Sequence, residues 1–132
     1  VLGDLPVEVE WRTGLFGAIA NVAAFSEESD EWLASLVRTL DVNRRALADL
    51  LAENLPGARY EIPDAGYLAW VDLSMFGWGD DPAVTILRDA KVALHHGPQF
   101  GAEGDGFVRV NFGCSPEILA EAITRIGVLA RR

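Results

Sequence analysis

The sequence predicts an α+β fold: a small, mostly antiparallel sheet with helices packed on one face, preceded by a long helix. Three observations carry this. Leu33, Leu36, Val37, Leu40, Leu47, Leu50, Leu51 and Leu55 recur at helical spacing. Short apolar runs bounded by Gly, Pro and Asp follow at 59–62, 67–73, 92–95 and 107–112. Asp81-Pro82 and Ser115-Pro116 each set a capping residue before a proline, the signature of a helix start.

Each element has its own signal. Residues 1–8 read as extended. Trp11 to Phe25 reads as a helix of small and apolar residues, with Gly14 and Gly17 early and Ala18, Ala20, Ala23 and Ala24 after. It holds more apolar residues than one small domain can cover, which predicts a neighbour outside this chain. Ser26-Glu-Glu-Ser-Asp-Glu31 is a break. Ser29 is the expected N-cap of the long helix, and Asp30 and Glu31 suit its positive end. That helix covers 29–55 and stops at Pro56-Gly57. It exceeds the mean globular helix of about 11–12 residues, so it is expected to span an interface or join two bodies.

The texture then changes. Arg59-Tyr-Glu-Ile62 reads as a strand, Pro63-Asp-Ala-Gly66 as a turn, and Tyr67-Leu-Ala-Trp-Val-Asp-Leu73 as a second strand. A helix runs from Asp81-Pro82 to about Ala90, and Val92-Ala-Leu-His95 is a short strand. Gly97-Pro-Gln-Phe-Gly101 and Gly104-Asp-Gly106 form a hairpin-like, glycine-rich loop before the strand Phe107 to Phe112. The final helix runs from Ser115-Pro-Glu117 to about Ala130, with Ile118, Leu119, Ala122, Ile123, Ile126 and Leu129 as its stripe.

At 132 residues the chain can build one domain with a core, and 50% hydrophobic content separates it from disordered chains. The net charge of -9 is spread out, with no basic stripe to neutralise phosphates. This argues against nucleic acid or an anionic membrane as partner. One cysteine, Cys114, excludes an internal disulfide and suits a reducing cytoplasm. No apolar run reaches the ~20 residues of a membrane span, and no signal-peptide pattern is present. The opening Val1-Leu-Gly-Asp-Leu-Pro6 lacks a methionine and reads as part of a longer protein. A processed N-terminus is the other reading.

Arg109, in Gly106-Phe-Val-Arg-Val-Asn-Phe-Gly113, is the outlier. A half-buried strand does not need an arginine, and burying one unpaired is costly. Guanidinium is a planar, two-pronged partner for a carboxylate. Two partners satisfy that chemistry: an internal Asp or Glu, or the carboxylate of a ligand.

Tyr67-Leu-Ala-Trp-Val-Asp72, Val92-Ala-Leu-His-His-Gly-Pro-Gln-Phe-Gly101 and Gly106-Phe-Val-Arg-Val-Asn-Phe-Gly113, in that order and spacing, resemble the C-terminal third of fold-type I pyridoxal-phosphate enzymes. The nearest branch is the cystathionine β-lyase-like (C–S lyase) group of class I/II aminotransferases. Asn43-Arg-Arg-Ala-Leu47 and Leu55-Pro-Gly57 fit that branch too. The resemblance covers nearly the whole chain. It implies a large, cofactor-holding domain upstream, with residues 1–28 connecting from it. Residues 29–132 would be the C-terminal small domain, including an interdomain helix over 29–55. It further implies pyridoxal phosphate as cofactor, an amino-acid substrate, a cytoplasmic homodimer, and either transamination or β-elimination of a thiol.

The resemblance implies that Arg109 grips the substrate α-carboxylate. It makes His96, Gly97, Pro98 and Phe100 candidates to line the domain cleft, with Phe100 as packing. In the family the Schiff-base lysine lies upstream, with most cofactor contacts. Lys91, the one lysine here, matches no such motif and reads as a solvated cation at a helix end. The isolated chain is therefore expected to contain no catalytic residue, to hold no cofactor and to be inactive. The alternative is a free-standing α+β module that binds amino acids or partners without catalysis.

Three further features carry less. His95 and His96 are adjacent, so on a strand they point to opposite faces and make a poor metal site. Cys114 precedes a helix start but has no histidine placed to activate it, and reads as packing. Gly101-Ala-Glu-Gly-Asp-Gly106 lacks the lysine and following helix of a phosphate loop, and Glu103 and Asp105 would repel an anion.

Overall fold

The computed structural model describes residues 14–132. The expectations for residues 1–8 and for Trp11 to Thr13 lie outside the described residues. The chain divides into two compact units, Val1–Val37 and Arg38–Arg132, with the boundary inside a helix.

The described part of the first unit holds helix α1 (Leu15–Ala24), a 3-10 turn at Glu27–Ser29, and the opening of α2 (Asp30–Asn54). Helix α1 buries none of its residues, and Leu15, Phe16, Ile19 and Val22 are all more than half exposed. Ser29 does not act as the expected cap. It closes the 3-10 turn, and its hydroxyl donates back to the Ala23 carbonyl at 2.7 Å. Ser26 donates to the same carbonyl at 2.8 Å, so both hydroxyls serve the end of α1.

The second unit carries the sheet. Its strands are β1 (Arg59–Tyr60), β2 (Leu68–Asp72), β3 (His95–His96) and β4 (Phe107–Asn111). Their order is β1-β2-β4-β3, every pair antiparallel. Helix α3 (Pro82–Ala90) connects β2 to β3, and α4 (Pro116–Ala130) follows β4. This is the α+β arrangement that the sequence predicts.

Strand alternation decides which face meets the helices. Ala69 and Val71 of β2, and Val108 and Val110 of β4, are buried. They form one core with Leu47 and Leu51 of α2, Ile86 of α3, and Leu119, Ile123 and Ile126 of α4. The residues between them, Leu68, Trp70, Phe107, Arg109 and Asn111, lie on the opposite face and remain partly or largely exposed.

A buried amide ties α2 to this unit. Asn43 is fully buried on the leucine-lined side, and its Nδ2 donates to the carbonyls of Phe112 at 2.9 Å and Cys114 at 2.8 Å. Cys114 packs against the core, as expected of it.

Two strands are shorter than the sequence suggests. β1 ends at Tyr60, before Pro63, which cannot donate to a ladder. β3 pairs only at His95 and His96, not over 92–95. Helix α3 ends at Lys91 in a left-handed turn with φ 58°, and Val92 and Leu94 pack against the core without ladder bonds. Their alternation reports burial rather than pairing.

Candidate functional site

Arg109 stands in the middle of the open sheet face. In the register it is opposite Trp70 of β2 on one side and His95 of β3 on the other. Directly opposed residues of antiparallel strands share a face, so Trp70, Arg109 and His95 form one row. His96 pairs with Val108 of the buried face, so the histidine beside Arg109 is His95.

Phe100 completes the surroundings. The Arg109 guanidinium carbon lies 4.5 Å from the Phe100 ring centroid. The Phe100 and Trp70 rings meet edge to face at 5.6 Å, and Trp70 stacks on Phe107 at 5.3 Å. An aromatic ledge thus backs the long arginine side chain.

No acidic residue among the described residues forms an ion pair with Arg109. Its Nε is buried and has no hydrogen-bond partner. A buried guanidinium N–H without an acceptor is costly, and a planar carboxylate is the group that best relieves it. Of the two partners open at the level of sequence, the internal one is not found among the described residues.

Arg109 also borders a cleft of about 630 Å³. Lys91, His95, Cys114, Ile118 and Arg125 are among its other lining residues, so the cleft lies between the 91–95 segment and the start of α4. Phe100, Gly97, Pro98 and His96 do not line it. Arg109 therefore has the aromatic ledge on one side and this cleft on the other.

The loop that delivers Phe100 is tightly built. Residues 97–106 connect β3 to β4 through 3-10 turns at Gly97–Phe100 and Ala102–Gly104. Gly97 and Gly104 are buried against each other: a Cβ on Gly97 would meet the Gly104 oxygen at 2.2 Å, and one on Gly104 would meet the Gly97 oxygen at 2.0 Å. Only glycine permits that approach. The base of the loop is tied to the start of α3, where His96 Nδ1 lies 2.6 Å from Asp81 Oδ2 and Gly106 N donates to the Asp80 carbonyl at 2.7 Å. Asp81 was expected to cap α3, yet it makes no capping bond, because its carboxylate is turned to His96.

Lys91 does not fit the role of a Schiff-base lysine. It is exposed at the turn that ends α3, whereas such a lysine needs burial or a cationic neighbour to lower its pKa. Among the described residues no group of three or more His, Cys, Asp or Glu could hold a metal ion. None of their helices is long and apolar enough to cross a membrane.

The described residues of the second unit thus form an α+β lobe with one open sheet face and, at its centre, an arginine that no described carboxylate pairs. The chain belongs to the aminotransferase class I and II family, whose model matches residues 13–126. It is 39% identical to a Mycobacterium leprae protein provisionally named a cystathionine beta-lyase, over 96% of this chain and 34% of that protein. It is 33% identical to the cystathionine beta-lyase PatB of Bacillus subtilis, over 87% of this chain and 31% of PatB. A Corynebacterium diphtheriae crystal structure, provisionally named a PLP-dependent beta-cystathionase, superposes with a TM-score of 0.91 at 31% identity. That match covers 99% of this chain and 34% of the other. The chain thus spans about a third of the length of the curated relatives it matches.

Proposed function

We propose that this chain is the substrate-carboxylate-binding small domain of a longer pyridoxal-phosphate enzyme, a C–S β-lyase or aminotransferase acting on an amino acid. The observation that carries the reading is Arg109: its Nε is buried without an acceptor, and its guanidinium is backed by Phe100. A carboxylate would bind it through two parallel charge-assisted bonds. That clamp holds the amino acid in one orientation, so that the bond to be broken is presented correctly to the reacting group. The cofactor, when bound, supplies the electron sink for the carbanion chemistry. In this reading its lysine and most of its contacts come from the upstream domain, because Lys91 does not fit that role. The isolated chain is accordingly inactive.

Residues 1–28 then connect from the large domain and 29–55 form the interdomain helix. The whole enzyme works as a cytoplasmic homodimer. Elimination of a thiol is favoured over transamination, because the relatives at 33–39% identity carry cystathionine beta-lyase names. His96, Gly97 and Pro98 serve this site through the loop that carries Phe100, and Phe100 backs the Arg109 guanidinium.

The test uses the full-length protein that contains this chain. Amino-acid substrates are compared with their carboxamides, which lack the carboxylate. Arg109→Ala should remove most of the preference for the acid, about a hundred-fold in kcat/KM, while the cofactor absorbance stays unchanged. An unaltered preference would return Arg109 to a structural role and leave the free-standing binding module as the better account.

A further inference from the structure

We infer that Asp81 and His96 form a positioning pair that sets the angle of Arg109 through the Gly97–Gly106 loop, and so governs how tightly the substrate carboxylate is held. This rests on the assignment of Arg109 as the carboxylate clamp.

The two ends of the loop are fixed at one place. His96 enters it and is held by the Asp81 carboxylate at 2.6 Å. Gly106 leaves it and donates to the carbonyl of Asp80 at 2.7 Å. Both anchors are consecutive residues at the start of α3, whose Pro82, Ala83 and Ile86 are buried in the core. The loop is thereby referred to a rigid body rather than to solvent.

Between the anchors there is little slack. Gly97 and Gly104 touch backbone to backbone, Gly101 N donates to the Pro98 carbonyl at 3.3 Å, and Gly104 N donates to the Gly101 carbonyl at 3.0 Å. A displacement at His96 is therefore carried to Phe100, four residues on, instead of being absorbed. Phe100 in turn contacts the Arg109 guanidinium and the edge of Trp70. The path runs from α3 through the Asp81–His96 bond, along the tightly packed loop backbone to Phe100, and from its ring to Arg109.

The chemistry of the pair supports a dedicated role. A carboxylate at a helix start ordinarily accepts from the exposed N–H groups there. Asp81 makes no such bond, and its Oδ1 is buried without a partner. The structure thus gives up a cap, worth a known amount of helix stability, for the bond to His96. Neither residue lines the cleft that Arg109 borders, so they are positioning residues and not catalytic ones.

The experiment compares kcat/KM for an amino acid with that for its carboxamide in the full-length holoenzyme, for His96→Leu, His96→Asn and Asp81→Asn, alone and combined with Arg109→Ala. His96→Leu removes the bond to Asp81, and the acid preference should fall about ten-fold through KM, with kcat at saturation kept. His96→Asn retains a donor at the Nδ1 position and should restore the preference. Asp81→Asn, nearly isosteric, weakens the bond without removing a side chain and should give a smaller fall of about three-fold. It keeps the inference testable should His96→Leu fail to fold. In the Arg109→Ala background none of the three should change the preference further.

A fall in kcat with the preference intact, or an equal fall in the Arg109→Ala background, means a structural role alone and overturns the inference. If Arg109→Ala abolishes the preference but Asp81→Asn and His96→Leu leave it whole, the positioning pair fails and the clamp stands. If Arg109→Ala itself has no effect, the clamp fails, and the pair with it.

Discussion

The guanidinium of Arg109 lies against the face of Phe100, 4.5 Å from carbon to ring centroid. The contact orients the cation without neutralising it. An acidic neighbour would have occupied both prongs, whereas an aromatic face leaves them open for a carboxylate.

Removing that face should loosen the proposed carboxylate clamp without abolishing it. Cation–π contacts contribute about 0.5–2 kcal/mol, so Phe100→Leu should raise the KM for amino-acid substrates about two- to thirty-fold with little change in kcat. Steady-state kinetics of the full-length enzyme measures this. A lowered kcat at unchanged KM would place Phe100 in the chemistry instead.

Asn43 is the polar tie between α2 and the segment that follows β4. In Asn43→Leu the carbonyls of Phe112 and Cys114 lose this donor while shape is nearly kept. The expected loss is about 2–4 kcal/mol of stability, read as a lower urea midpoint at an unchanged slope. A midpoint within error of the parent protein would show that water replaces the amide at no cost.

Asp72 makes the second unit sensitive to acid. Burial pushes its pKa up, but bonds from Ser74 and from the Arg59 guanidinium outweigh this, and the net shift is downward. Ser74 N donates to its Oδ1 at 2.8 Å and Arg59 Nε to its Oδ2 at 2.8 Å. A folded pKa below the unfolded one, about 3.9, gives stability that is present above pH 4 and lost as pH falls through the folded value. Asp72→Asn should therefore lower stability at neutral pH and flatten its decline below pH 4. Melting temperatures recorded from pH 2 to 7 would expose the difference. Parallel curves for the two proteins would remove Asp72 from the acid response.

Lys91 holds a left-handed conformation at φ 58° where it ends α3. Glycine adopts this without a Cβ clash, so Lys91→Gly should stabilise the protein by about 1 kcal/mol, measured by urea denaturation. Activity of the full-length enzyme should not change. Lost activity would give the Lys91 ammonium a role that its exposed position does not suggest.

Much of this was legible in the chain itself. The leucine repeat from Leu33 to Leu55 and the Asp81-Pro82 and Ser115-Pro116 signals located three helices, because helical periodicity and capping are local properties. The Ser115 hydroxyl accepts from Ile118 N at 3.4 Å, the cap that the sequence proposes. Arg109 stood out as a charge in an apolar strand, and the order of the strand motifs carried the family.

The tertiary structure decided the rest. Which histidine stands beside Arg109 depends on register, and a shift of one residue would have exchanged His95 for His96. The partner of Asp81 lies 15 positions away and that of Asn43 lies 69 away, so no local pattern could announce either. The 92–95 run looked like a strand because burial and ladder pairing leave the same alternation in a sequence. Residue types and spacing determine which elements form and which groups are chemically costly. Long-range packing determines which partner each costly group finds, and for Arg109 the described residues supply an aromatic face but no carboxylate.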